Sequence, residues 1–107
     1  MIKRLVVLVA ILALTAGLAT AELRYTKLSA TTAAGTTTIK AGTLLVINDG
    51  ASSIYVRVFW DGETPADATT GSTEIKSGES MTFSKTSAVE AISVVSASAS
   101  TVRLVYW

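Results

Sequence analysis

Two hydropathy patterns divide the chain. From Leu5 to Leu18 the residues are apolar except for Thr15 and Gly17, with Lys3 and Arg4 in front and Ala19-Thr20-Ala21 behind. A short basic start, an apolar stretch of this length and a small-x-small end make up a secretory signal, with cleavage expected before Glu22. After Glu22 the chain turns to short stretches rich in Thr, Ser, Val and Ile, where apolar and polar positions alternate. Alternation with a period of two marks strands with one buried face, and no long stripe of period 3.6 argues for a helix.

The clearest predicted strands are residues 43–47 and 53–60. Asn48-Asp49-Gly50 lies between them, and these residue types tolerate the positive φ of a tight hairpin. In the second strand Ile54, Val56, Val58 and Trp60 share one face. Tyr55, Arg57 and Phe59 share the other, which Arg57 marks as the less buried one. A polar loop is expected over residues 61–72, then strands at 73–76 and 79–84 about a Ser77-Gly78 turn. Strands at 91–95 and 101–107 close the chain, with Val102, Leu104 and Tyr106 on one face of the last. Residues 29–38 read as a flexible connection. Thr38-Ile39-Lys40-Ala41-Gly42 recurs as Glu74-Ile75-Lys76-Ser77-Gly78, which suggests two equivalent corners, each turning at its glycine. Seven or eight short strands with frequent turns predict an all-β fold: a small antiparallel β-sandwich of jelly-roll or immunoglobulin-like outline over residues 22–107, behind an N-terminal hydrophobic helix, the signal peptide.

Cleavage after Ala21 would leave 86 of the 107 residues, a single small domain. Losing Lys3 and Arg4 turns the net charge of +1 into −1, with seven basic residues against eight acidic. No basic surplus remains for nucleic acid. The alternative to cleavage is a retained membrane anchor, for which the run up to Ala21 is marginal against the roughly 20 residues a spanning helix needs. A membrane is a partner only in that case. The chain has no Cys and no His. Disulfides, thiolate and imidazole metal sites, and the common nucleophile–base pairs are therefore excluded. Small exported domains without such staples depend on good packing or on assembly, so a homo-oligomer or larger protein assembly is expected. No cofactor and no enzymatic activity are expected. Ser77 and Ser80 near Lys76 sit in a turn that the repeat already explains. Asp61, Glu63 and Asp67 offer oxygen ligands to a hard cation, but their spacing is not that of a known calcium loop, and a solvated turn explains them better.

The aromatic residues carry the remaining signal. Trp60 and Tyr106 fall on core faces. Tyr55, Phe59 and Trp107 are the candidate interface residues, together with Asp61, Glu63 and Asp67 of the polar loop. A ligand or carbohydrate module built on Tyr55, Trp60 or the 61–72 loop is a further alternative.

The run Val46-Ile47-Asn48-Asp49-Gly50-Ala51-Ser52-Ser53-Ile54-Tyr55-Val56, then Phe59-Trp60-Asp61-Gly62, then Ile75-Lys76-Ser77-Gly78-Glu79-Ser80-Met81-Thr82-Phe83, Ala91-Ile92-Ser93 and Thr101-Val102-Arg103-Leu104 resembles small β-sandwich virion proteins of tailed phages, of the decoration or head-fibre sort. The resemblance covers about residues 43–106. It implies a structural subunit that binds a larger surface, and it transfers no catalytic residue. The export signal departs from that family, whose members assemble in the cytoplasm. The sequence thus leads to an exported structural or interaction protein (periplasmic, extracellular or on the cell surface), with a virion component that keeps its N-terminus as the alternative. N-terminal sequencing of the protein from its own host is expected to begin at Glu22. A start at Met1 would favour the anchor or virion alternative.

Overall fold

The computed structural model describes residues 23–107. The expected signal peptide or anchor, residues 1–21, and its hydrophobic helix lie outside the described residues. Six strands are formed: β1 (Arg24–Ala30), β2 (Gly35–Asn48), β3 (Ile54–Trp60), β4 (Thr73–Ile75), β5 (Ser80–Ser96) and β6 (Ser100–Tyr106). They build one antiparallel sheet in the order β1-β6-β2-β5-β3-β4.

Strands β2 and β5 are far longer than the short strands expected, at 14 and 17 residues. Each passes through a bend instead of ending at a turn. Past the bend, residues 43–47 of β2 pair with residues 80–84 of β5, and residues 44–48 pair with β6 on the other side. Before it, residues 35–38 of β2 pair with residues 91–94 of β5, whose far side carries β3. The sheet therefore has two halves. One holds β1, β6 and the pieces of β2 and β5 at residues 43–48 and 80–84. The other holds β3, β4 and the remaining pieces.

Irregular register makes the bend. Thr38 faces Ala91 and Ala41 faces Val89, so Ile39 and Lys40 together oppose only Glu90. Between Thr43↔Ser84 and Ala41↔Val89 the imbalance reverses, with Gly42 set against residues 85–88. An extra residue kinks a strand and changes which positions point inward. In β2 the buried positions are accordingly Ile39 and Ala41 before the bend, and Leu44, Val46 and Asn48 after it. Lys40 takes the strain with φ 52°, and its ammonium lies 3.1 Å from the carboxylate of the opposing bulge residue, Glu90. The expected turn at Lys40-Ala41-Gly42 is thus a bulge inside a continuous strand, and Gly42 has no left-handed φ. The other copy of the repeat is a true turn, with Gly78 at φ 80°.

The curl brings both halves onto one core. Leu44, Val46, Val102 and Leu104 of the first half cluster with Ile54, Val56, Ile75, Ile92 and Val94 of the second. Met81 and Phe83 both pack against this cluster, as does Trp60, and Tyr106 belongs to it. The expected connection over residues 29–38 is shorter, because β1 runs to Ala30 and β2 starts at Gly35.

The predicted hairpin at Asn48-Asp49-Gly50 does not exist. β2 and β3 are separated in the sheet by β5, and none of the three residues has a positive φ. The segment is instead a crossing between the halves, held by Asn48. Its side chain is 0 % exposed. Nδ2 donates to the carbonyls of Ser52 (2.8 Å) and Ile75 (2.9 Å), while Oδ1 accepts from the Gly50 N–H (3.0 Å) and the Ser100 hydroxyl (3.0 Å). This is the full capacity of a carboxamide. Its backbone N–H reaches the Glu79 carbonyl, and its carbonyl accepts from the Gly78 N–H, both at 2.9 Å. Gly50 passes so close to β6 that a Cβ there would lie 1.8 Å from Ser100 Oγ and 2.6 Å from the Thr101 nitrogen. Outside this knot Arg103 pairs with Asp49, and the hydrogen bond and charge of Asp49 raise the guanidinium pKa further. That titration lies at strongly alkaline pH, so it gives the fold no pH dependence near neutrality.

Replacing Asn48 by Leu leaves the Ile75 carbonyl and the Gly50 N–H without this partner, while the Ser100 hydroxyl still reaches the Ser52 carbonyl at 3.1 Å. At about 1–3 kcal/mol for each buried group left unpaired, and with partial repair by water, the expected loss is about 3 kcal/mol. Gly50→Ala should cost a similar amount through the clash with Ser100. Urea denaturation of both variants checks this, and an unchanged midpoint for either would contradict the role given to the knot.

Candidate functional site

The two outer faces of the curled sheet are finished differently. On the half that contains β3, the outward positions of the β3–β5 pair include Phe59, Ala91, Ser93 and Val95, and all four are buried. The loop after β3 covers them. Ala68 returns onto the sheet, 4 % exposed, and its N–H donates to the hydroxyl of buried Ser93 at 2.9 Å. Phe59 was expected on an exposed face; it is 3 % exposed, because the 61–72 loop folds back over that face. It is a second small core and not a free interface residue. Tyr55, facing Glu74 on β4, is half-buried. Arg57 stays exposed, its guanidinium 5.1 Å from the centre of the Phe59 ring.

The loop leaves β3 through a tight turn. Glu63 N–H donates to the Trp60 carbonyl at 2.9 Å, and the Trp60 N–H donates to Glu63 Oε1 at 2.8 Å. Gly62 supplies the left-handed φ of 92°. The turn ahead of β5 is built the same way. Glu79 N–H donates to the Lys76 carbonyl at 3.0 Å, the Lys76 N–H donates to Glu79 Oε1 at 3.0 Å, and Gly78 supplies φ 80°. The shared sequence is x-x-Gly-Glu, in Trp60-Asp61-Gly62-Glu63 and Lys76-Ser77-Gly78-Glu79. Glycine makes the turn, and glutamate reaches back to the N–H that the turn leaves open. That pairing was readable in the sequence, but the Lys-small-Gly match drew the repeat to a different place.

These uses account for most of the polar candidates. Asp61, Glu63 and Asp67 are all exposed and are not drawn together, and no group of three acidic side chains among the described residues is placed to hold a metal ion. The Glu63 carboxylate is committed to its turn. Ser77 donates its hydroxyl to the Gly50 carbonyl at 2.5 Å, which ties the second turn to the Asn48 crossing.

The other outer face is left bare by the described residues. Across it Tyr25 faces Val105, Val105 faces Leu45, and Leu45 faces Thr82. The next row is Lys27, Arg103, Ile47 and Ser80. At the opposite end Trp107 bonds to Thr43 through both its N–H and its carbonyl, which extends β6 by one residue. The exposed large apolar residues of the described chain are Leu23 (68 %), Tyr25 (58 %) and Trp107 (39 %). Leu45, Ile47 and Val105 lie half-exposed between them and the hydroxyl row on β5. Trp107 was a sequence candidate. Tyr25, Leu45, Ile47 and Val105 were not, although the unbroken run Leu44-Leu45-Val46-Ile47 signals a strand that is apolar on both faces.

No known family model matches this chain, and no curated protein matches it. The reading of the surfaces therefore rests on their own chemistry.

The paired turns generate a stability test. Glu79→Ala removes a charge-assisted hydrogen bond and is expected to cost about 1–2 kcal/mol, with Glu63→Ala similar or smaller because that turn bears on the loop alone. Urea midpoints of the two variants check the values. Glu79→Gln, which keeps the acceptor, should recover most of the loss.

Proposed function

We propose that this is an exported, non-enzymatic structural protein, folded as a two-layer β-sandwich, that works by binding a second copy of itself. The sandwich reading follows from the bend. With β2 and β5 counted once in each half, each half has four strand segments, and the two halves enclose one core. The observation that carries the functional reading is the contrast between the two outer faces. The chain spends its longest loop on covering one and leaves the other with Tyr25, Leu45, Ile47, Val105 and Trp107. Contiguous apolar surface of this kind marks an association site more often than a monomer's ordinary surface.

Charge placement favours a second copy stacked face to face. The outer edge of β1 has no strand beside it, but Lys27 sits at its centre. Two β1 strands paired antiparallel would bring these lysines together, a known device against edge pairing. Stacking about a two-fold axis near the Tyr25–Val105–Leu45 row joins apolar to apolar and leaves Lys27 and Arg103 toward the rim. The absence of Cys and His adds weight, because assembly is the remaining staple for a domain of this size.

Light scattering during size exclusion is the test. The exported protein is expected to run as a dimer or larger species. Tyr25→Lys, a change at an exposed position, should shift it toward monomer without lowering its unfolding midpoint at low concentration. A strictly monomeric protein at high concentration would overturn the proposal.

A further inference from the structure

A second surface lies at the free edge of β3. β4 pairs only with Ile54, Tyr55 and Val56, so among the described residues no strand lies beside residues 57–59 on that side. Two adjoining open clefts, of about 510 and about 470 Å³, run along this stretch and share Arg57, Val58 and Trp60. Thr69, Ser72 and Thr73 wall the first, and Glu63, Thr64 and Lys85 wall the second. Clefts of this volume suit a small ligand. An added peptide strand is disfavoured, because β4 closes one end and the Glu63 turn the other, which leaves three positions for pairing.

The lining is rich in donors. The ion pairs among the described residues are Lys40–Glu90 and Arg103–Asp49, so Arg57 and Lys85 hold no carboxylate. Each rests on an aromatic ring instead: Lys85 Nζ lies 4.6 Å from the centre of Trp60, and Arg57 5.1 Å from that of Phe59. An arriving anion would displace water and not a resident ion pair. The hydroxyls are oriented too. Ser72 Oγ accepts from the Thr69 N–H at 3.0 Å, and Thr69 Oγ1 accepts from the Gly71 N–H at 3.2 Å. Each hydroxyl accepts one of these bonds and keeps its own O–H to donate. The one carboxylate in the lining, Glu63, already accepts from the Trp60 N–H. The loop that carries the hydroxyls is fastened to the sheet through Ala68 and Ser93.

We propose that this groove binds an acidic saccharide, with Arg57 and Lys85 taking its carboxylate, Trp60 lying against the sugar ring and the 69–73 hydroxyls meeting its hydroxyl groups. Aromatic surface beside hydrogen-bonding groups suits the mixed apolar and polar faces of a sugar. Paired cations select the charged member of the class. Phe83 of the other half also lines the first cleft, but none of Tyr25, Leu45, Ile47, Val105 and Trp107 lines either one, so this binding is separable from self-association.

The test is a titration of the full exported protein carrying Trp107→Phe, so that Trp60 alone reports fluorescence. The probes are a glucuronate-containing disaccharide, the neutral disaccharide cellobiose, and sodium acetate as the bare carboxylate. A saturable change is expected with the uronate, at least about tenfold weaker binding for cellobiose and for acetate, and a similar loss in Arg57→Gln/Lys85→Gln. Both substitutions are at exposed positions, and circular dichroism verifies the fold. No saturable response, equal response to cellobiose, or undiminished binding by the double variant overturns the proposal. Light scattering on the protein with Trp107 unchanged reports assembly separately, so failure of the groove and failure of the dimer are told apart.

Discussion

The buried carboxamide of Asn48 is the constraint on which the rest of the architecture depends. A curled sheet needs a place where its halves are held in a fixed relation, and apolar packing alone is non-directional. Asn48 supplies direction. Its four side-chain hydrogen bonds reach the 50–53 crossing, the end of β4 and the start of β6 at once. Its backbone adds the turn ahead of β5. A group at 0 % exposure with every donor and acceptor engaged is favourable only as a complete set, since each missing partner strands a polar atom in the core. Gly50 belongs to the same set, because the crossing can lie against Ser100 only where no side chain intervenes.

Given that fixed crossing, the bulges follow. β2 must leave the second half of the sheet near Ala41 and present Leu44, Val46 and Asn48 to the same core a few residues later. A regular strand keeps its inward positions at even spacing, so the inward set has to change from odd to even numbers at the bend. β5 makes the opposite journey, from Met81 and Phe83 to Ile92 and Val94, with Glu90 as the extra residue against β3, between Phe59↔Ala91 and Trp60↔Val89. The Lys40–Glu90 pair then joins the two irregular positions across the corner. Being largely exposed at Lys40, it marks the corner more than it stabilises it.

The sequence made the strand faces readable and hid their connections. In β6 the alternation of Val102, Leu104 and Tyr106 against Arg103, Val105 and Trp107 is reproduced side for side. Strand faces are local, set by period two. Asn-Asp-Gly was misread because its residue types serve equally well in a hairpin and in a buried polar crossing, and only the strand order tells them apart. The number of strands was overestimated for a related reason. A bulge at Lys40 and a turn at Gly78 look alike in sequence, yet the φ value falls on the lysine in one and on the glycine in the other. Phe59 shows the limit of the alternation rule itself, since it sits on the predicted outward face and is buried by a loop that no periodicity describes. Leu45 and Ile47 alternate with the buried Leu44, Val46 and Asn48, and only the strand order shows that no described segment covers the face they point to.

A thin sheet structure has two outer faces to manage, and this chain treats them in opposite ways. The 61–72 loop closes one face with Ala68 and Ser93, and the same fastening holds its hydroxyls beside Arg57 and Trp60. The covering loop thus also builds the wall of the groove, so the recognition proposed there would rest on a segment that already contributes to stability. The opposite face receives no such segment among the described residues. Its Leu45, Ile47 and Val105 are held in register by strands fixed at the Asn48 crossing, so the surface is preformed and would lose little side-chain entropy on contact. Preorganisation of that kind favours association through the face over any rearrangement that would hide it. With no cysteine to cross-link its core, the association proposed here would add burial at the one face that the described residues leave open.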